Sequence, residues 1–296
     1  HVGMVHPSVL RAIAWSGFLS IRSGTLFDMF ELVQHGPDTY VGTGPRYPWG
    51  GLYGGQIVAQ ALRAAANTVD DEVEPHSIRA YFIRRGDHHE PVRYEVDRIR
   101  NGRSFVTRRV VARQAIGAIL NAECSFQTPA ESLAIQTIEM ADVPSSDGIE
   151  NTSFSPHFDR RFVEPSPANT VDRDGEGRVL AWMKVAHELP PTGHDDHPFL
   201  HQCWLAYLSD DLATDTVRAA HDQHRTDGGE PRYAGVSLDH TIWFHRPLLA
   251  DRWHLHDFSC HHFTGGRGLA VGHVFTQGGD HVATVAQEVL LRAPRG

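Results

Sequence analysis

The sequence has few cysteines, no long apolar run and no excess of basic residues. Its three cysteines, Cys124, Cys203 and Cys260, are an odd number at wide spacing, so we expect no disulfide framework. No stretch approaches the roughly 18 apolar residues that a membrane-spanning helix requires. The formal net charge of -9 is opposite in sign to the basic surface that nucleic-acid binding usually needs. We therefore do not expect a disulfide scaffold, a membrane-spanning protein or a nucleic-acid-binding protein.

Targeting signals are also missing from the sequence. Residues 1–10 lack the charged segment, apolar core and cleavage site of a secretory signal, and residues 292–296 carry no peroxisomal or retention address. We therefore expect a protein of the reducing cytoplasm. The length of 296 residues and the hydrophobic content of 41% allow two ordinary folded domains.

Histidine is abundant, with 21 residues, and raises the question of a metal site. The best clusters are His254, His256 and His262 at strand spacing, His194 with His197, and His221 with His224, but none matches a recognised zinc or iron signature. Carboxylate or thiolate ligands do not repeat at metal-site spacing either. We therefore predict a protein without a metal or a cofactor, in which these histidines are solvated or lie in the core.

Two similar blocks of sequence follow one another along the chain. The first carries Phe82 and, after a turn, Arg103, and the second carries Phe244 and Arg267 at nearly the same spacing. Each block follows a segment with helical character, at 56–66 in the first half and 202–209 in the second. A duplicated helix-plus-sheet unit indicates two similar domains that pack as a pseudo-dimer.

Each half reads as one long helix and a mostly antiparallel sheet. Residues 105–113 alternate as a strand does, and Asn-Gly at 101–102 is a strong hairpin signal. One helix wrapped by an antiparallel sheet is the hotdog arrangement, so the sequence predicts an α+β double hotdog. The predicted divisions are an N-terminal unit at 1–128 with a lead-in at 1–48, an aperiodic linker at 129–156 and a C-terminal unit at 157–296.

Gln287 is the sharpest local anomaly in the sequence. In the strand predicted over residues 281–292 it shares one face with Ala283, Val285, Val289 and Leu291. A primary amide left unpaired on an apolar face costs about 1–3 kcal/mol, so it needs a partner or a task. A structural hydrogen bond to a neighbouring backbone group is the alternative to a functional role.

Ser237 and two acids are further candidates. Ser237 shares a predicted strand face with Asp239, but nothing nearby resembles a nucleophile elbow, so we do not expect an acyl-enzyme. Asp210 and Asp211 close the apolar repeat of the second helix, where a carboxylate could have a raised pKa and deprotonate a water molecule. Spacing alone does not choose between these two acids, and a solvated helix end is the alternative for both.

These candidates lie within motifs that match a known family. The sequence resembles the bacterial acyl-CoA thioesterase II family, whose relatives include peroxisomal acyl-CoA thioesterases. The resemblance runs from about Leu26 to Arg292, apart from the linker. The matching motifs are Gly54–Leu62, His76–Phe82, Arg100–Phe105, Ala122–Gln127, Leu208–Asp210, Ser237–Pro247 and Val285–Glu288.

The resemblance implies a double hotdog fold and the hydrolysis of acyl-CoA to a free acid and CoA. The family uses an Asp, a Ser or Thr and a Gln to orient a water molecule, and its motifs place these roles on Asp210, Ser237 and Gln287. Asp239 is then structural. The sequence departs from the family at Asp211, where relatives carry a larger apolar or aromatic residue. The implied partner is the acyl-CoA substrate, and a homo-oligomer remains an open alternative.

The duplication predicts one active site per chain. Aligning the two halves puts Ala64 opposite Asp210 and Pro75 opposite Ser237. Methyl and pyrrolidine groups cannot orient water, so we expect the first copy to be catalytically silent. The most basic stretch is a candidate for binding the CoA phosphates, unless its side chains are simply solvated. It contains Arg98, Arg100, Arg103, Arg108 and Arg109.

Two other functions fit the predicted fold. One is an acyl-CoA-binding hotdog protein without turnover, in which Asp210 is solvated and Gln287 is structural. The other is an enoyl-CoA hydratase on the same fold, although the neighbouring Asp/His pair of that chemistry is not evident in the sequence.

Overall fold

The computed structural model describes residues 29–164, 177–191, 199–223 and 233–292. The first unit consists of β1 (Val33–Gly36), β2 (Thr39–Gly42), α1 (Gly54–Ala66), β3 (Glu74–Phe82), β4 (Val92–Asn101), β5 (Phe105–Gln114) and β6 (Gly117–Gln127). The second unit consists of β7 (Phe158–Phe162), β8 (Arg178–Val185), α2 (Leu200–Ser209), α3 (Leu212–Gln223), β9 (Ala234–Ser237), β10 (Asp239–Phe244), β11 (His254–Thr264), β12 (Arg267–Thr276) and β13 (His281–Arg292).

The strands form one continuous sheet with a mirrored order. From one edge to the other the order is β1-β2-β4-β5-β6-β3-β10-β13-β12-β11-β8-β7, and β9 pairs with β13. Strands β3 and β10 join the two units in antiparallel pairing, with Arg79 opposite Thr241 at the centre of the ladder. The two halves are therefore related by a pseudo-twofold axis at this junction, and the predicted double hotdog is confirmed.

Irregularities in the sheet are duplicated as well. The ladder between β4 and β5 shifts register between Arg98 and Arg100, and the ladder between β11 and β12 shifts between Cys260 and His262. The interval along the sequence from Arg98 to Cys260 equals the interval from Phe82 to Phe244, so the two shifts occupy equivalent positions in the two halves. A one-residue bulge bends a strand and increases its twist. The two halves of the sheet are therefore bent at equivalent points, which supports the alignment of the two units.

The two central helices, α1 and α2, pack against each other. Helix α1 is rich in alanine and almost entirely buried, with Ile57, Val58 and Leu62 in the main core. The second unit differs in detail from the single long helix expected for it. Helix α2 ends at Ser209, and α3 begins at Leu212 after a break that contains the two candidate acids. The helical structure is therefore interrupted at the position where the site is predicted.

The segment between the units covers part of the sheet in the second unit. Residues 128–157 contain no helix or strand, and Ala141 from this segment packs with Trp182, Leu255 and Phe275 in a small second core. The indole nitrogen of Trp182 donates a hydrogen bond to the carbonyl oxygen of Pro144 at 2.9 Å. Because neighbouring residues in β8 and β11 face the main core, this second core lies on the opposite face of the sheet.

Part of the predicted lead-in is regular structure. Strands β1 and β2 form a short hairpin, and β2 extends the first half of the sheet beside β4.

None of the described helices has the length and apolar character needed to cross a membrane.

Candidate active site

The three side chains predicted to orient water come from different elements. Asp210 follows the last residue of α2, Ser237 ends β9 and Gln287 lies within β13. The amide nitrogen of Gln287 lies 2.9 Å from Asp210 Oδ1 and 2.7 Å from Ser237 Oγ. Ser237 Oγ lies 3.4 Å from the same carboxylate oxygen. These residues therefore form one hydrogen-bonded group, in which the acid and the amide are buried and the hydroxyl is partly exposed.

Ser237 reaches this group because the strand pairing is interrupted at Leu238. In a regular strand Ser237 would share a face with Asp239, as the sequence predicts. Both β9 and β10 pair with β13, but the pairing of β9 is displaced by one residue from that of β10. This displacement puts Ser237 opposite the buried Val289. Ser237 thus lies on the inner face with His240, and the prediction that it shares a face with Asp239 is wrong.

The carboxylate of Asp210 also caps α1, the helix of the other unit. The backbone N–H of Gly55 donates to Asp210 Oδ2 at 2.8 Å. This N–H lies in the first helical turn, where backbone donors lack partners within the helix. A negative charge is favoured there because the helix dipole is positive at its N-terminus. Asp210 therefore links the end of one central helix to the start of the other.

Two glycines allow this close approach. A Cβ atom added to Gly54 would lie 2.6 Å from Asp210 Oδ2, and one added to Gly55 would lie 2.3 Å from the backbone oxygen of Tyr207. Both distances are shorter than real Cβ contacts, so a side chain at either position would force its neighbour to move. The Gly-Gly pair at the start of α1 thus serves helix packing and the approach of the carboxylate.

Burial raises the pKa of Asp210 to about 7. Removing a carboxylate from water disfavours its charged form. Hydrogen bonds from Gln287 and Gly55 act in the opposite direction and stabilise the anion, while the neighbouring negative charge of Asp211 raises the pKa further. The acid is therefore poised to gain or lose a proton near neutral pH.

The neighbouring acid, Asp211, belongs to a different contact. Its carboxylate pairs with Arg160, with 2.7 Å between Nη1 and Oδ2, and both side chains are largely buried. The guanidinium of Arg160 also donates to the carbonyl of Thr152 and lies over the ring of Phe162. Burial raises the pKa of Asp211 to about 6, and Arg160 opposes that rise. Only Asp210, of the two adjacent acids, contacts Gln287.

Asp239 makes a separate structural hydrogen bond. Its Oδ1 accepts the backbone N–H of Glu288 at 2.7 Å, next to Gln287 in β13. This contact holds the strand junction beside the site, and it is consistent with the expected structural role.

Sequence comparison identifies the family of this chain. The model of the acyl-CoA thioesterase N-terminal domain matches residues 43–127, and the model of the C-terminal domain matches residues 136–291. The chain belongs to the acyl-CoA thioesterase family. The resemblance found in the sequence is thereby confirmed.

Individual members of the acyl-CoA thioesterase family are similar over most of their length. Acyl-coenzyme A thioesterase 8 from Homo sapiens is 32% identical, and the match covers 92% of this chain and 90% of the human protein. Acyl-CoA thioesterase 2 from Haemophilus influenzae is also 32% identical, over 81% of this chain and 87% of its own length. The crystal structure of an acyl-CoA thioesterase II from Mycobacterium marinum is 35% identical with a TM-score of 0.78, and covers 92% of this chain and 100% of that chain.

Two residues that the sequence reasoning missed extend the site of this thioesterase-family chain. The imidazole Nδ1 of His240 is in hydrogen-bond contact with Gln287 Oε1, and its Nε2 lies 2.9 Å from Ser209 Oγ. All three side chains are fully or almost fully buried. His240 shares the inner face of β10 with Ile242, so a polar ring on an apolar face was the signal that could have identified it.

The first unit has different residues at the equivalent positions. Arg79 pairs with Glu123 in the first unit, and its equivalent, Thr241, pairs with Ala286 in the second. The next residues along β6 and β13 are Cys124 and Gln287, so Cys124 occupies the place of Gln287. Ile78 likewise occupies the place of His240. With Ala64 and Pro75 from the sequence alignment, the equivalent set has no carboxylate, hydroxyl or amide.

The basic stretch proposed for CoA phosphates is partly engaged within the protein. Arg108 is 2% exposed and donates to Thr68 Oγ1 at 2.8 Å, so it is excluded as a solvent-facing phosphate ligand. Arg98 pairs with Asp38 at 2.8 Å, and Arg109 donates to the side chain of Asn121.

The predicted histidine cluster does not form a group of converging ligands. His254 and His256 are buried in β11, whereas His262 is exposed beyond the bulge. His194, His197 and His224 of the other predicted clusters lie outside the described residues. Within the described ranges, the one set of three potential ligand atoms that lie within 4.8 Å of one another belongs to Asp87, His88 and His89 in an exposed loop.

Proposed function

We propose that this chain hydrolyses acyl-CoA thioesters by direct attack of a water molecule that Asp210, Ser237 and Gln287 orient. Membership of the acyl-CoA thioesterase family makes it an acyl-CoA thioester hydrolase. The observation that carries the residue assignment is the convergence of the Gln287 amide and the Ser237 hydroxyl on one oxygen of Asp210. Nothing comparable surrounds Asp211.

The chemistry requires a base and two orienting groups. A thioester carbonyl is already electrophilic, so a positioned water molecule attacks it without a covalent enzyme intermediate. Asp210 accepts the proton of the water as the new C–O bond forms, and Ser237 and Gln287 fix the direction of the attack. The C–S bond then breaks, and the CoA thiolate takes up a proton. Acid–base assistance of this kind contributes typically 10²–10⁴-fold to the rate.

The proposal is tested by measuring thiol release. Purified protein is incubated with a fatty acyl-CoA and a thiol-reactive dye. We expect release by the unchanged protein and a fall in kcat of about 10²–10⁴-fold in Asp210→Asn, because the amide cannot accept the proton. Asp239→Asn is the matched control, since it makes the same change of side chain two residues after Ser237 and keeps a hydrogen-bond acceptor for Glu288.

Each alternative function has its own outcome in this experiment. Binding of acyl-CoA without thiol release by the unchanged protein would indicate a binding module, and addition of water to an enoyl-CoA would indicate a hydratase. Full activity in a correctly folded Asp210→Asn variant would show that the residue assignment is wrong.

We also propose that catalysis is confined to the second unit, because the equivalent positions of the first unit carry Ala64, Pro75 and Cys124. The cytoplasmic location, the unit boundaries and any homo-oligomer stay predictions.

A further inference from the structure

The buried polar group continues beyond Gln287. His240 is completely buried at the junction of the two units, one strand away from Gln287. Each of its ring nitrogens has one polar neighbour, Gln287 Oε1 for Nδ1 and Ser209 Oγ for Nε2. The result is a series of contacts from Ser209 through His240 to Gln287, whose amide nitrogen contacts both Asp210 and Ser237.

The orientation of the Gln287 amide follows from its partners. An ionised carboxylate only accepts hydrogen bonds, so the side of the amide that faces Asp210 Oδ1 must be the NH₂ group. The carbonyl oxygen of Gln287 then faces His240. A carbonyl oxygen only accepts, and therefore Nδ1 of His240 must carry the proton.

The remaining contact is then determined as well. Burial lowers the pKa of His240 to about 4, so the ring is neutral near pH 7 and carries one proton. With that proton on Nδ1, Nε2 can only accept, so the hydroxyl of Ser209 donates to it at 2.9 Å rather than to the carbonyl oxygen of Ala206 at 3.3 Å. The hydrogen bonds thus all donate in the same direction, from Ser209 to His240, from His240 to Gln287 and from Gln287 to Asp210. Each buried polar atom along this series has a partner.

We propose that His240 is a positioning residue that acts through Gln287, holding the amide so that its NH₂ group faces Asp210 and Ser237, and that the hydroxyl of Ser209 supports the ring by donating to Nε2. This inference rests on the proposed function. A free amide can rotate by half a turn and present its carbonyl oxygen to the carboxylate, which would repel the anion and remove the donor that directs the water.

A comparison within the chain supports the pairing of these two roles. The first unit has neither Gln287 nor His240 at the equivalent positions, but Cys124 and Ile78. The apolar face is continuous there, and nothing requires a hydrogen-bonding ring. The histidine is therefore found in the unit that has an amide to orient.

A double-mutant cycle separates positioning from structural support. We expect His240→Leu to lower kcat for fatty acyl-CoA about 10–100-fold, as the loss of outer-shell partners does in other sites, with little change in KM. In a Gln287→Ala background the same substitution should change kcat by less than about twofold, because the group through which it acts is already absent. A purely structural role would give the same factor in both backgrounds.

Conservative substitutions keep the test decisive if His240→Leu does not fold. His240→Asn retains an amide donor near the position of Nδ1, so it should recover most of the lost kcat. Ser209→Ala should lower kcat less than His240→Leu, and it should have no effect in the Gln287→Ala background. Equal losses in His240→Asn and His240→Leu would overturn the inference.

His201→Leu is the matched control. His201 is also a buried histidine with two hydrogen bonds, to the Pro190 carbonyl and from the Ala250 backbone N–H, but it does not contact Gln287. We expect the His201→Leu variant to have a lower midpoint of thermal unfolding and an unchanged kcat per folded molecule. Absence of thiol release by the unchanged protein would contradict the proposed function. If the unchanged protein is active and His240→Leu has the same kcat, only the positioning role of His240 is wrong.

Discussion

At the scale of single residues, the site depends on a balance around one carboxylate. Burial disfavours ionised Asp210, while the Gln287 amide, the Gly55 N–H and the Ser237 hydroxyl favour it. These contributions leave the pKa at about 7, far above that of an exposed aspartate. A base with such a pKa accepts a proton readily and is still ionised in a large fraction of molecules near neutral pH.

The first prediction concerns the pH dependence of the rate. Asp210 acts as a base only when it is ionised, so kcat/KM should fall about tenfold per pH unit below its pKa of about 7. The measurement is kcat/KM for a fatty acyl-CoA from pH 5 to pH 9. Asp239→Asn should keep the same acid limb. A rate that stays constant down to pH 5 would be incompatible with Asp210 as the base.

At the scale of elements, the start of α1 is built around the end of α2. Gly55 donates to Asp210, and the hydroxyl of Tyr53 donates to the carbonyl of Tyr207 at 2.9 Å. The periodicity of residues 56–66 predicts the helix, and α1 begins two residues earlier, at Gly54. Helical periodicity cannot reveal that the N-terminal cap comes from another helix, because the capping residue is distant in sequence.

The second prediction distinguishes the two glycines. In Gly54→Ala the new methyl group would meet the movable carboxylate of Asp210, so we expect kcat to fall at least tenfold with little loss of stability. In Gly55→Ala it would meet the backbone oxygen of Tyr207, which cannot move alone. We expect a loss of about 1–3 kcal/mol in the free energy of unfolding, which urea titration measures.

Gly278→Ala is the control for both variants. An added Cβ at Gly278 would have only Thr276 Oγ1 nearby, at 3.7 Å, so activity and stability should be unchanged. Unchanged kcat in Gly54→Ala would show that the close approach of the carboxylate is not needed for catalysis.

At the scale of the whole molecule, the two units share one sheet, and both contribute to the candidate site. Ile78 of β3 lies opposite Ile242 of β10, and both side chains are fully buried at the junction. Asp210, Ser237 and Gln287 come from the second unit, but the helix that Asp210 caps belongs to the first. Folding of either unit therefore supports the other.

The third prediction is a single unfolding transition. Because the sheet and core are continuous across the junction, urea titration followed by circular dichroism and by fluorescence should give coincident curves. Ile78→Ala should shift that one transition by about 2–5 kcal/mol, the usual cost of truncating a buried isoleucine. Ile116→Ala, at an exposed turn, should leave it unchanged. Two separated transitions would show that the units fold independently.

The sequence by itself determined the duplication, the double hotdog and the family, because periodicity and motifs are local properties of the chain. It also singled out Gln287, since an amide on an apolar strand face is visible in the alternation of residues.

The family motif points to Asp210, but only the tertiary structure shows which of the two acids contacts Gln287. Asp210 and Asp211 are adjacent, and the turn between α2 and α3 directs the first to Gly55 and the second to Arg160. The inward position of Ser237 depends on a register shift at Leu238, and the role proposed for His240 depends on its contact with Gln287 in the neighbouring strand. Such contacts join residues that are far apart in sequence, so no local pattern contains them.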